Sequence, residues 1–144
     1  MSAADVVGIY RYLLDTAPAP VRDIVLGNLH QSTPCRTDHY HQCFGIPSAF
    51  DRPWAAKQGW YGFGDTPADP CTTGTVATRP APDTVPAGIL SGAVLHTTGT
   101  VGAGDRGIVV VLTQYPAGTS FATASAMLTR LTRSLPVPGG VPLI

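Results

Sequence analysis

The stretch "ILSGAVLHTTGTVGAGDRGIVVVLTQYP", residues 89–116, holds two apolar runs around a glycine-rich turn. Both runs are rich in Val, Thr, Ile, Leu and Tyr, the residues that suit a pleated, half-buried surface. "GAGD" at 102–105 is a tight turn of the hairpin kind. The reading predicts strands over 89–100 and 107–115, paired antiparallel. The dense run at 108–112 reads as a central strand buried on both faces. Upstream, Trp54 to Phe63 ("WAAKQGWYGF") reads as another strand, with Gly59 and Gly62 marking close backbone approach or a bulge. Residues 64–88, dense in Pro, Thr and Gly, read as a long surface excursion between the first two strands. Three successive strands make a meander.

Helices are expected on either side of the sheet in sequence. Ser2 and Asp5 have capping-box spacing, and Val6, Val7, Tyr10, Leu13 and Leu14 repeat at helical period, which predicts a helix over 3–15. A second begins near Pro20 and would bury Val21, Ile24, Val25 and Leu29. The segment from Thr33 to Pro53 has no period and reads as a structured loop. Thr119 or Ser120 caps a last helix reaching 135, with Phe121, Ala124, Leu128, Leu131 and Leu135 as its buried stripe and Arg130 and Arg133 at its C-terminal end. The fold class is therefore α+β, or α/β in the broad sense. One domain covers 1–135, and 136–144 reads as a flexible tail.

Bulk properties narrow the function classes. The 144 residues carry no formal net charge, and no basic stripe points to nucleic acid. The nine acidic residues are all aspartate, which excludes a glutamate general base. The opening "MSAADVVGIYRYLLD" lacks a basic n-region, and Asp5 and Arg11 interrupt its apolar run, so it does not read as a signal peptide. No run approaches a membrane span. As written, the chain is expected to be cytoplasmic and to need no cofactor.

Lys57 is the only lysine, and it lies on the first strand, two residues before Gly59. A lysine on an edge strand ordinarily faces water and discourages edge pairing. Here the wider pattern says more. Lys57-Gln58-Gly59 on a strand, then a long loop, two more strands and an amphipathic helix, resembles the end of the penicillin-recognising serine hydrolases. These are the serine β-lactamases and the D,D-transpeptidases and carboxypeptidases. "FGIPSAFDRPWAAKQGWYGF" and "LHTTGTVGAGDRGIVVVLTQYPAG" are similar to a β-lactamase-like branch common in actinobacteria. The resemblance covers nearly the whole chain.

That resemblance implies a partial β-lactamase/transpeptidase-like domain and a substrate that is a β-lactam or a peptidoglycan stem peptide. Lys57 would place positive charge beside the substrate carboxylate and the nucleophile. Gln58 stands where the family usually has Thr and would offer its amide N–H to that carboxylate. Gly59 would leave room for substrate, and the Trp60 backbone N–H would be half of the oxyanion hole. The family's nucleophile, the Ser of S-x-x-K, has no counterpart, because Trp54 stands three residues before the one lysine. The chain then reads as the C-terminal part of such an enzyme, inactive by itself. It would have an uncovered strand edge and helical face, exposing Val109 and Val111 to self-association or to the missing N-terminal part. The family is exported to the cell envelope. The rival class is a non-catalytic envelope or partner-binding module of unrelated small α+β fold.

"CRTDHYHQC" sets Cys35, His39, His41 and Cys43 within nine residues. Cys₂His₂ is a zinc ligand set, although each pair would ordinarily sit on its own turn or helix. A Cys35–Cys43 disulfide would close a small loop in an exported chain, and free thiols are expected in the cytosol. Cys71 makes the count odd.

Overall fold

The computed structural model of the chain describes residues 1–32, 41–65 and 92–143. Helix α1 spans Ala3–Arg11, and a π-helical turn follows over Tyr12–Thr16. Then come α2 (Ala19–His30), the short α3 (Ile46–Ala49), and strands β1 (Trp54–Tyr61), β2 (Gly92–Val101) and β3 (Gly107–Pro116). Helix α4 (Phe121–Arg133) closes the order. The fold is α+β, as expected, with one three-stranded antiparallel sheet in the order β1-β2-β3.

The hairpin registers Val101 opposite Gly107 and Gly92 opposite Pro116, so the turn is the one read from "GAGD". Gly102, Gly104 and Asp105 all take positive φ there. On the other side, Trp54 pairs with Val101 and Lys57 with Thr98. Residues 89–91 and 66–88 lie outside the described residues, so the predicted start of β2 and most of the long excursion do too.

Both faces of the sheet are covered. On one, Ala56, Leu95, Val109 and Val111 pack with Phe121, Ala124 and Leu128 of α4 and Ile46 of α3. Phe121 is the hub: its ring meets Phe44, Trp60 and Phe63 edge-on at 5.7, 6.2 and 5.3 Å. Helices α1 and α2 lie on the opposite face, α1 against β3 and α2 against β1. The expected exposure of Val109 and Val111 is therefore not met. They are 2% and 8% accessible because α4 sits on them. Among the described residues no strand pairs with the outer edge of β1 or of β3, so the run at 108–112 lies on an edge strand and β2, not β3, is the central one.

Local signals mostly hold. Ser2 and Asp5 form the reciprocal capping box. The first helix ends as α at Arg11, and Ala17 N–H bonds back to Tyr12 O, widening the last turn just before Pro18. In α2 the buried residue is Leu26, while Val21 and Ile24 face outward. That helix is apolar on every side, so its period could not say which side meets the sheet. In α4 the buried stripe ends in Thr132, and Leu131 is exposed. The Thr132 hydroxyl satisfies itself on Leu128 O at 2.7 Å, which lets it bury.

The segment read as a flexible tail is tied down. Asp51 N–H donates to Val141 O at 2.8 Å and Leu143 N–H to Ala49 O at 2.9 Å. Leu135 and Val137 pack against the core. The tail thus adds a backbone bridge, Phe50 to Pro142, beside the entry to β1.

Candidate functional site

Alternation along β1 sends Trp54, Ala56 and Trp60 toward α4 and Lys57 toward the α1–α2 side. Lys57 there lines a cavity of about 360 Å³ with Gln58, Gly59, His96, Thr98 and Leu112. Met1 and Val6 of the α1 end form its other wall. The lysine is exposed. Its ammonium donates to Gln58 O, and among the described residues no carboxylate forms an ion pair with it.

Two strand neighbours complete the polar side of the cavity. Thr98, directly opposite Lys57, donates its hydroxyl to Lys57 O at 3.3 Å. Its oxygen also lies 3.0 Å from the Tyr10 hydroxyl. Burial pushes the Tyr10 phenol pKa up, and the Thr98 bond partly offsets that. His96, opposite Gly59, accepts from Thr113 N–H through Nδ1 at 3.2 Å. The ring proton of neutral His96 therefore sits on Nε2. Ammonium, imidazole N–H and an apolar wall suit an anion carried on an apolar body.

The expected site residues divide. Lys57 and Gly59 share the cavity. The Gln58 side chain is buried elsewhere, its amide NH₂ held by Gln42 O at 3.2 Å and Phe44 O at 2.5 Å. Those bonds occupy the donors that the resemblance assigned to a substrate carboxylate. Gln58 Oε1 has no partner among the described residues. The Trp60 ring packs between Phe44 and Phe121 on the α4 side. Cys43 is a free, half-buried thiol, its pKa raised by burial and pulled back by Arg52. Cys35, His39 and Cys71 lie outside the described residues. Among those described, no group of three or more His, Cys or acidic side chains is placed to hold a metal.

A second polar cluster lies at the hairpin end of the sheet. His30, the last residue of α2, sets Nδ1 2.9 Å from Trp54 O and Nε2 3.2 Å from the Asp105 carboxylate. Thr100 donates to the same carboxylate. Arg52 donates to His30 O at 3.0 Å and stacks 4.1 Å over the Trp54 ring. With a carbonyl and a carboxylate on its two nitrogens, His30 has no hydroxyl to activate, so the cluster is a clasp between α2, β1 and the hairpin turn.

The chain is similar to a mycobacterial lipoprotein. It is 31% identical over 139 residues to proteins named "Putative lipoprotein LppW" in Mycobacterium bovis and in two strains of Mycobacterium tuberculosis. The match takes in 93% of this chain but 35% of each relative, so the chain spans about a third of their length. No family model matches it. No solved structure matches it. Among the described residues, no helix is long and apolar enough to cross a membrane.

Proposed function

We propose that this chain is a segment of a penicillin-recognising serine hydrolase, supplying its carboxylate-binding strand and lacking its nucleophile. The observation that carries the reading is Lys57: a lone ammonium on an outer strand, facing a cavity and without an acidic partner among the described residues. A carboxylate entering there would meet that charge beside His96, with Val6 and Leu112 against its apolar body. Gln58 does not take part through its side chain, which holds the Gln42–Phe44 loop against β1. The name of the relatives supports a place at the cell envelope.

Alone, the chain does no acyl transfer. That reaction needs a hydroxyl activated by a base within an oxyanion hole. Loss of the nucleophile in serine hydrolases costs about six orders of magnitude. Incubation with a chromogenic β-lactam should give no turnover above background and no covalent adduct by mass spectrometry, in the wild type and in Lys57→Ala alike. A serine adduct, or turnover lost in Lys57→Ala, would refute the missing nucleophile. Weak binding of an acyl-D-Ala-D-Ala peptide that disappears in Lys57→Ala would support the carboxylate site. Its absence would favour the second reading, a non-catalytic envelope module, which agrees with the relatives' name as readily.

A further inference from the structure

Toward the hairpin end of the sheet, a second cavity of about 610 Å³ opens between the end of α1, the π-helical turn and the first residues of β3. It shares no lining residue with the Lys57 cavity. Arg11 lines it from the helix and Arg106 from the hairpin turn. Neither guanidinium has an ion-pair or hydrogen-bond partner among the described residues. Two carboxylates also line the cavity, and they are not equivalent. Asp105 is already engaged, since it accepts from Thr100 and lies 3.2 Å from His30 Nε2. Asp15 is exposed and pairs with neither arginine. Val7, Leu14 and Ile108, all half-buried, add an apolar wall.

We infer that this cavity is a site for a phosphate monoester, with the phosphate between Arg11 and Arg106 and the organic body against Val7, Leu14 and Ile108. Two like charges facing one concavity repel, and an anion between them turns that repulsion into attraction. A carboxylate has two oxygens and saturates one guanidinium fork; a phosphate monoester has three free oxygens and can engage two forks at once. The volume lies within the roughly 300–1,000 Å³ of small-molecule sites, so there is room for a body beyond the ion itself. Soluble glycerol phosphates and the headgroup of phosphatidic acid carry this same group. The inference does not depend on the hydrolase reading, since it uses none of the residues around Lys57.

Calorimetry on the whole chain tests it. The soluble probe is glycerol 3-phosphate. The lipid probe is phosphatidylcholine vesicles with and without phosphatidic acid. The expected result is saturable binding of at least one probe, weakened about tenfold or more in Arg11→Gln and in Arg106→Gln, the loss that goes with a charged hydrogen-bonding partner. Asp15→Asn should tighten binding, because it removes the unengaged carboxylate that repels the ligand. Binding of glycerol 3-phosphate assigns the site to soluble esters, and binding of the phosphatidic acid vesicles alone assigns it to the lipid. The wild-type chain gives a second reading that needs no variant to fold. Phenylglyoxal modification of Arg11 and Arg106, followed by peptide mass spectrometry, should slow when the bound probe is present, while that of Arg22 does not. Binding of neither probe, binding that survives both arginine substitutions, weaker binding in Asp15→Asn, or equal slowing at all three arginines overturns the proposal.

Discussion

Tyr10 shows how a single buried hydroxyl ties a helix to a sheet. Its phenol bonds to the Thr98 hydroxyl, which also reaches Lys57 O, so one chain of bonds joins α1 to two strands. Because burial raises the Tyr10 pKa in the folded protein, the neutral phenol is the form that folding favours. The sign follows: this contribution is complete below the ordinary tyrosine value near pH 10 and is lost as pH rises through the folded value. A spectrophotometric titration should show a late tyrosine that disappears in Tyr10→Phe, with about 1 kcal/mol of stability lost at neutral pH. His30 offers a second check. His30→Ala leaves the Asp105 carboxylate and Trp54 carbonyl without their imidazole and should lower the denaturant midpoint by the equivalent of about 1–3 kcal/mol.

At the scale of elements, α4 is fastened at its start by two residues. Ser120 accepts from Thr123 N–H at 3.1 Å, and the Asp65 carboxylate, from beyond β1, accepts from Phe121 N–H with both oxygens at 3.0 Å. Asp65→Ala should cost about 1 kcal/mol, read as a lower melting temperature, because it removes both a cap and a favourable charge at the helix N-terminus. Ser120 was legible as a cap; Asp65 was not, since it lies 56 residues away. The sheet was legible for the opposite reason: strand alternation and the 102–105 turn are local. The neighbours of Lys57 fall between. The hairpin turn fixes β2 against β3, but the long connection between β1 and β2 fixes no register. That Thr98 rather than Thr97 or Thr100 stands opposite Lys57 therefore had to come from the structure. Sequence could place Gln58 beside Lys57 on the strand, but not the two backbone carbonyls that claim its amide.

For the whole molecule, the sheet is a local hairpin to which a distant strand has been added. The hairpin closes across the five residues 102–106, whereas β1 reaches β2 only across everything between Tyr61 and Gly92. Closing the longer loop costs more entropy and repays it later. The C-terminal tail bonds to residues 49–51, just ahead of β1, so its lock cannot form before that strand arrives. The topology predicts an ordered assembly: β2–β3 with α4 first, β1 next, and Val141 to Leu143 last. Pulse-labelled amide exchange during refolding should protect Val109–Leu112 earlier than Ala55–Gln58, and the Asp51 amide latest of all. Simultaneous protection of all three would show that the chain condenses in one step. Synthesis runs in the opposite direction, so β1 leaves the ribosome with no partner to pair with. Its one lysine, the only charged residue of the strand and exposed, is placed to act as a gatekeeper against premature association during that wait.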